Sequence, residues 1–340
     1  MQTWTKTCTL SVIHPIVNEF LHIGDLFLDI ETTGLSRTNH QIYLIGIAAL
    51  VDHNIITVNQ FFADQLTDEA NLLSALLLFM QEHSIQRILT FNGNRFDLPF
   101  LTARANIHQI PISFDSYERF DIYQEVRKRK NYLQLQSYRQ KSLEQFLGIC
   151  REDLYSGGDL IKVYLQYTKH PTPEAVHLLQ LHNYEDLLGM PNLLAVFAYE
   201  RLFSSTICNC IGEKNTYFEL DGTDCEELLI TCTLPFQLPG TISCQHPVSK
   251  TYIHAYDQTL RLRIPLCQHL ARLYYSDYKN YYYIPSEGIS IHKSVADIYD
   301  KSLREKATPE NCYTTVEISD TFLHSAQLSE FASHVLRYFL

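Results

Sequence analysis

The chain has 340 residues, a formal net charge of -11 and 46% hydrophobic residues. That length allows two domains, and the apolar content excludes a disordered or low-complexity protein. The acidic balance argues against a protein that coats duplex nucleic acid, but it leaves room for one that needs only a local basic patch at a strand end.

No apolar stretch reaches the roughly 18 residues that a bilayer span requires. The longest obvious one, Ala75 to Met80, falls inside a helical pattern, so no membrane association is expected. The first residues, Met-Gln-Thr-Trp-Thr-Lys-Thr-Cys, lack a basic region followed by an apolar one, so no secretion signal is expected. Nine widely spaced cysteines, an odd number, read as reduced thiols and point to the cytoplasm.

Residues 1–24 are weakly patterned and read as a lead-in. Leu26 to Leu35 reads as a buried strand ending in a turn, and Gln41 to Leu50 and Asn54 to Phe62 follow as buried strands around an Asp52-His53-Asn54 turn. Thr67-Asp68-Glu69 opens a helix to about His83, with a capping hydroxyl and acids in its first turn. Arg87 to Phe91 is a short strand, Phe96 to Asn106 a helix, and Phe120 to Tyr123 a further short strand. Helices follow at Ser142–Leu147 and Asp159–Tyr167. Pro173 starts a longer helix that Gly189 closes, and Pro191 restarts one to about Phe203. Strands first, then alternating strands and helices, then helices, describe an α/β domain with a mixed sheet.

The texture changes near residue 204. Glu226–Leu234, Thr251–Tyr256, Thr259–Ile264 and Asn280–Ile284 read as strands, while Ser294–Lys306 and Leu328 onward read as helices. The expected division is therefore a lead-in at 1–24, an α/β domain at 25–204, and a smaller α+β accessory module at 205–340.

Two carboxylates, Asp29 and Glu31, lie two residues apart on the first strand and so project from one side of it. Like charges beside apolar neighbours are costly unless a cation compensates. Asp97 follows an Asn92-Gly93 turn where the next helix begins, and a helix cap is the simpler reading of it. His182 and Asp186, four apart on the long helix, share a face.

Together these segments resemble the three motifs of the DnaQ-like, or DEDD, exonucleases on a ribonuclease-H-like fold. Asp-Ile-Glu-Thr-Thr-Gly-Leu at 29–35 is similar to the first, Asn92 to Asp97 to the second, and Asp186 in its helix to the third. The wording Phe-Asn-Gly-Asn-Arg-Phe-Asp-Leu-Pro-Phe-Leu resembles the YprB-like branch, mainly predicted bacterial exonucleases. The resemblance spans roughly residues 25–203 and implies a mixed five-stranded sheet flanked by helices.

It further implies that Asp29, Glu31, Asp97 and Asp186 hold two divalent ions. Hard dications prefer carboxylate oxygen, which suits Mg²⁺ or Mn²⁺. The implied activity is a 3′→5′ exonuclease on single-stranded DNA or RNA, acting at its 3′ end. A weak or inactive nucleic-acid-binding or scaffold protein on the same fold is the alternative, and another phosphoesterase such as an endonuclease is a further one. In the family's two main branches the general base is a histidine five residues before the last aspartate or a tyrosine four before it. Leu181 and His182 stand at those positions here, so a histidine occupies the tyrosine slot. With an ordinary pKa of about 6.5 it is the expected base, and Tyr184 should face away. By the same resemblance Thr33 and Leu35 touch the terminal nucleotide, and Asn92 binds the strand being cut.

Asp121 reads as a helix cap, with orientation of metal-bound water as the alternative. The run Arg127-Lys128-Arg129-Lys130, with Arg119, Arg139 and Lys141 nearby, is either a solvated helix face or a track for phosphates. Beyond residue 205, the tyrosines at 274, 275, 278 and 281–283 suit sheet packing or base stacking. The cysteines and histidines there lack paired Cys-x₂-Cys spacing, so zinc is not expected. Protein partners are not legible.

Overall fold

The structure is a computed structural model, and it describes residues 1–52, 54–218 and 224–340. His53, at the centre of the expected turn, lies outside the described residues. The chain divides into two compact units: residues 1–128 with 137–197, and residues 129–136 with 198–340.

The first unit is built on six strands: β1 (Gln2–Thr9), β2 (Asp25–Thr32), β3 (Ile42–Asp52), β4 (Ile55–Phe62), β5 (Arg87–Thr90) and β6 (Glu118–Asp121). Their order across the sheet is β1-β4-β3-β2-β5-β6. β1 through β4 pair antiparallel with their neighbours, whereas β2–β5 and β5–β6 are parallel. The sheet is mixed, as expected, and gains a sixth strand from the segment read as a lead-in. β1 escaped notice because only alternate residues of Gln-Thr-Trp-Thr-Lys-Thr-Cys-Thr are even partly covered, as befits an edge strand. β2 and β3 sit centrally and are buried on both faces, which explains their near-continuous apolar runs.

The helices that flank this sheet include α1 (Glu69–Glu82), α2 (Asp97–Ile107), α3 (Ile122–Lys128), α4 (Gln140–Phe146), α5 (Gly157–Tyr167) and α6 (Pro173–Leu193). α1 buries Leu72, Leu73, Leu76 and Met80 in the same core as Leu26, Leu28 and Ile45 of the sheet. Its start differs from expectation. A 3-10 turn, Leu66–Asp68, precedes it, and Glu69 turns inward to Arg104, 2.5 Å away. α6 carries Pro173 in its first turn, capped by the Thr172 hydroxyl, which accepts the Ala175 N–H at 3.2 Å. It does not stop at Gly189. A Cβ there would fall 2.1 Å from Glu144 Oε1, so the glycine serves close helix approach rather than termination, and Pro191 lies inside the helix.

The second unit contains a seven-stranded sheet that includes β7 (Cys210–Phe218), β8 (Asp224–Thr233) and β9 (Thr259–Cys267), plus a separate three-stranded sheet. Cys210 and Cys232 face one another across β7 and β8, with Cα atoms 4.2 Å apart, and form a disulfide. This departs from the expectation of nine reduced thiols. The expected helix over 294–306 is instead two 3-10 turns, Lys293–Ile298 and Lys301–Leu303, followed by a short strand. Asp300 causes the break, since its side chain accepts the Ser302 N–H at 2.9 Å and starts a new turn. Tyr274 stacks on Tyr338 and Tyr275 on Tyr281, so these rings are engaged within the unit.

Candidate active site

β2 runs on beyond its parallel partner β5. The β2–β5 pairing runs only from Asp25↔Arg87 to Phe27↔Leu89, so the Ile30 N–H beyond it needs another acceptor. Asp97 provides one: its Oδ1 accepts that N–H at 3.1 Å. Asp97 is thus not a helix cap. It is the first residue of α2, and its carboxyl reaches back to the strand that carries Asp29 and Glu31.

The turn that aims Asp97 is held by Asp121 at the end of β6. Its two oxygens accept the N–H groups of Asn92 at 2.9 Å and Asn94 at 3.1 Å, and Oδ1 also accepts that of Gln124 at 3.2 Å. Asp121 therefore caps α3 and fastens the turn as well. Asn92 adopts a left-handed backbone, φ +66°, which asparagine tolerates.

α6 brings the third group of residues. Asn183, fully buried, donates from Nδ2 to Asp29 Oδ2 at 2.8 Å, while its Oδ1 accepts Gln60 Nε2 at 2.8 Å. Gly46, opposite Asp29 on β3, leaves space for that amide, because a Cβ there would lie 2.0 Å from Asn183 Oδ1. The preceding residue on α6, His182, has its Nε2 3.3 Å from Glu31 Oε1 and 3.3 Å from Asp186 Oδ2. Glu31, His182 and Asp186 offer ligand atoms all within 4.8 Å of one another, the one such cluster among the described residues.

The electrostatics report convergence. Burial pushes the Asp29 carboxyl well above its ordinary value, and Asp186, Asp97 and Glu31 each push it further, while Asn183 opposes them. Burial raises Glu31 to about 7, against the pull of His182 and with Asp186 and Asp97 adding to it. Burial likewise raises Asp97 to about 7, although the Ile30 N–H works the other way. A set of desolvated carboxyls that resist ionisation together is a donor set suited to hard divalent cations, and the residues present fit such ions.

Several participants carry no motif. Arg151, in the loop between α4 and α5, donates from Nη1 to Asp186 Oδ1 at 2.5 Å and to Glu144 Oε2 at 2.9 Å. Asp153 Oδ2 lies 2.5 Å from His182 Nδ1 and accepts Lys141 Nζ at 2.6 Å. Lys141 is therefore committed to Asp153, not open as part of a phosphate track. Burial works to raise Asp153, but Lys141, the Tyr155 N–H and His182 outweigh it and hold the carboxyl below its ordinary range. Sequence reasoning missed Arg151, Asp153, Asn183 and Gln60. The only hint was a charged Arg-Glu-Asp triplet in a loop, which is too common to single out.

The remaining expected residues lie outside that cluster of ligand atoms. Leu35 is 81% exposed at the end of the first motif. Thr33 Oγ1 accepts the Gln41 N–H at 3.0 Å and steadies the turn leaving β2. Tyr184 does face away, with Lys6 Nζ 4.6 Å from its ring centroid.

Residues 26–198, just over half of the chain, match the RNase_H superfamily, and the chain belongs to that superfamily. More particularly, it is similar to the uncharacterized protein YprB of Bacillus subtilis (strain 168), with 27% identity over 171 residues, 49% of this chain. The match spans only 40% of YprB. The fold is also similar to part of the family B DNA polymerase from the hyperthermophilic archaeon Pyrobaculum calidifontis. That likeness has a TM-score of 0.41 and 16% identity, and covers 52% of this chain and 24% of that one. Among the described residues, no helix is long and apolar enough to cross a membrane.

Proposed function

We propose that this chain is a metal-dependent 3′→5′ exonuclease acting on single-stranded DNA or RNA, with Asp29, Glu31, Asp97 and Asp186 as the residues that hold two divalent ions, Mg²⁺ or Mn²⁺. One observation supports the reading: Glu31, His182 and Asp186 offer ligand atoms within 4.8 Å of one another, and Asp97 Oδ1 accepts the N–H of Ile30, the residue between Asp29 and Glu31. Such a cluster is expensive without cations.

When bound, divalent ions supply charge neutralisation for the entering and leaving oxygens of a phosphodiester displacement. The chain's own residues do the positioning. Asn183 orients Asp29, the Ile30 N–H orients Asp97, and the Tyr43 hydroxyl, 3.5 Å from Glu31 Oε2, faces Glu31. Leu35, exposed beside these acids in sequence, offers an apolar surface to a terminal base, with Thr33 and Asn92 on adjoining turns. Because the ions answer the phosphate charge, a protein of net charge -11 needs few cationic side chains for this work. The second unit serves as an accessory module.

A second reading, a non-catalytic nucleic-acid-binding protein on the same fold, draws on Arg151, whose guanidinium already pairs with Asp186. Single-stranded DNA and RNA, labelled at the 5′ end and incubated with Mn²⁺, separate the two. The enzyme gives a ladder of shortened labelled products that Asp29→Asn abolishes. Binding without cleavage under any divalent ion favours the second reading.

A further inference from the structure

The His182 ring is 6% exposed and is gripped from behind. Nδ1 lies 2.5 Å from Asp153 Oδ2. Asp153 is itself anchored to the helix that carries the imidazole, because the Glu185 carboxylate accepts the N–H groups of Glu152 and Asp153, each at 2.9 Å. With a neutral ring, a carboxylate against Nδ1 favours the tautomer that has its proton there and Nε2 as a lone-pair donor. That atom is the one 3.3 Å from Glu31 Oε1 and 3.3 Å from Asp186 Oδ2.

Three lone-pair donors turned toward one point repel unless a cation lies among them. Divalent ions with bonds of about 2.1 Å hold neighbouring ligands roughly 3 Å apart, close to these spacings. Arg151 adds a constraint. By taking Asp186 Oδ1 it leaves Oδ2 as the oxygen presented to His182.

We propose that His182 is a direct metal ligand through Nε2, making with Glu31 and Asp186 a mixed nitrogen–oxygen site that selects a first-row transition dication over Mg²⁺, with Asp153 as its positioning residue. The proposal rests on the metal-dependent reading above and changes the role expected of His182, since an imidazole nitrogen bonded to a metal does not accept the proton of an attacking water. Imidazole favours transition-series ions, whereas Mg²⁺ demands oxygen and keeps its waters.

Pulsed EPR of Mn²⁺ on the full chain tests this directly. Wild type is expected to show coupling from a directly bonded nitrogen, and His182→Gln to lose it while narrowing the ratio of Mn²⁺ to Mg²⁺ affinity. Asp153→Asn, still folded by circular dichroism, is expected to weaken Mn²⁺ binding about 10–100-fold. Mn²⁺ bound by wild type without nitrogen coupling, or an affinity ratio unchanged in His182→Gln, overturns the proposal and leaves the carboxylate site standing. No Mn²⁺ binding by wild type overturns both.

Discussion

Arg151 Nη1 lies 2.5 Å from Asp186 Oδ1, so the acid that the third motif supplies is paired with a guanidinium from a loop 35 residues earlier. The same nitrogen serves Glu144 Oε2 at 2.9 Å, and Nη2 donates to the His182 carbonyl at 3.3 Å. Glu144 is 1% exposed, and burial raises its carboxyl despite Arg151. One cation therefore compensates acids on two helices and ties the loop to both.

Removing it leaves buried charge without a partner. Arg151→Met is expected to lower stability by about 3–5 kcal/mol, the usual consequence of deleting one member of a buried ion pair. Urea denaturation measures this. A loss under about 1 kcal/mol would mean that the network is solvated and slack.

Gly46 tests the geometry behind Asp29. In Gly46→Ala the new methyl falls on the Asn183 amide, which cannot then bridge Gln60 and Asp29. Overpacking of this kind costs about 1–3 kcal/mol. Divalent-ion affinity, read by calorimetry, is expected to fall as well, because Asp29 loses its orienting donor. Wild-type affinity in the variant would show that Asn183 is dispensable.

The raised carboxyls predict a pH effect of unusual sign. Asp97 titrates at about 7 in the folded chain, against an ordinary value of about 3.9 in an unfolded one. Between those limits the native state keeps a proton that the unfolded state has lost, so this group's contribution to stability falls as pH rises through the window. Asp97→Asn removes the effect while keeping an oxygen for the Ile30 N–H. In chelator, the melting temperature of the variant relative to wild type should climb between pH 4 and pH 8. A flat difference would mean that Asp97 ionises normally.

What the sequence disclosed follows from the range of the interactions involved. Asp29 and Glu31 were legible because strand alternation is local, and His182 with Asp186 because helix spacing is. The apolar strands of the sheet announced themselves through buried runs. β1 did not, since its exposed threonines give little periodicity. Asp97 looked like a cap because its partner, the Ile30 N–H, lies 67 residues away. Arg151 and Asp153 stayed hidden for the same reason, since their charges acquire meaning only when α6 folds over their loop. Gly189 misled because a glycine late in a helix usually ends it, whereas here it admits Glu144.

If the four dispersed acids gather around divalent ions, equilibrium dialysis against Mn²⁺ counts those ions directly. Two ions per chain are expected for wild type, with fewer or weaker ions in Asp29→Asn, Glu31→Gln, Asp97→Asn and Asp186→Asn alike. A wild-type chain that retains no Mn²⁺, or four variants that each bind it as well as wild type, would rule out a shared metal site.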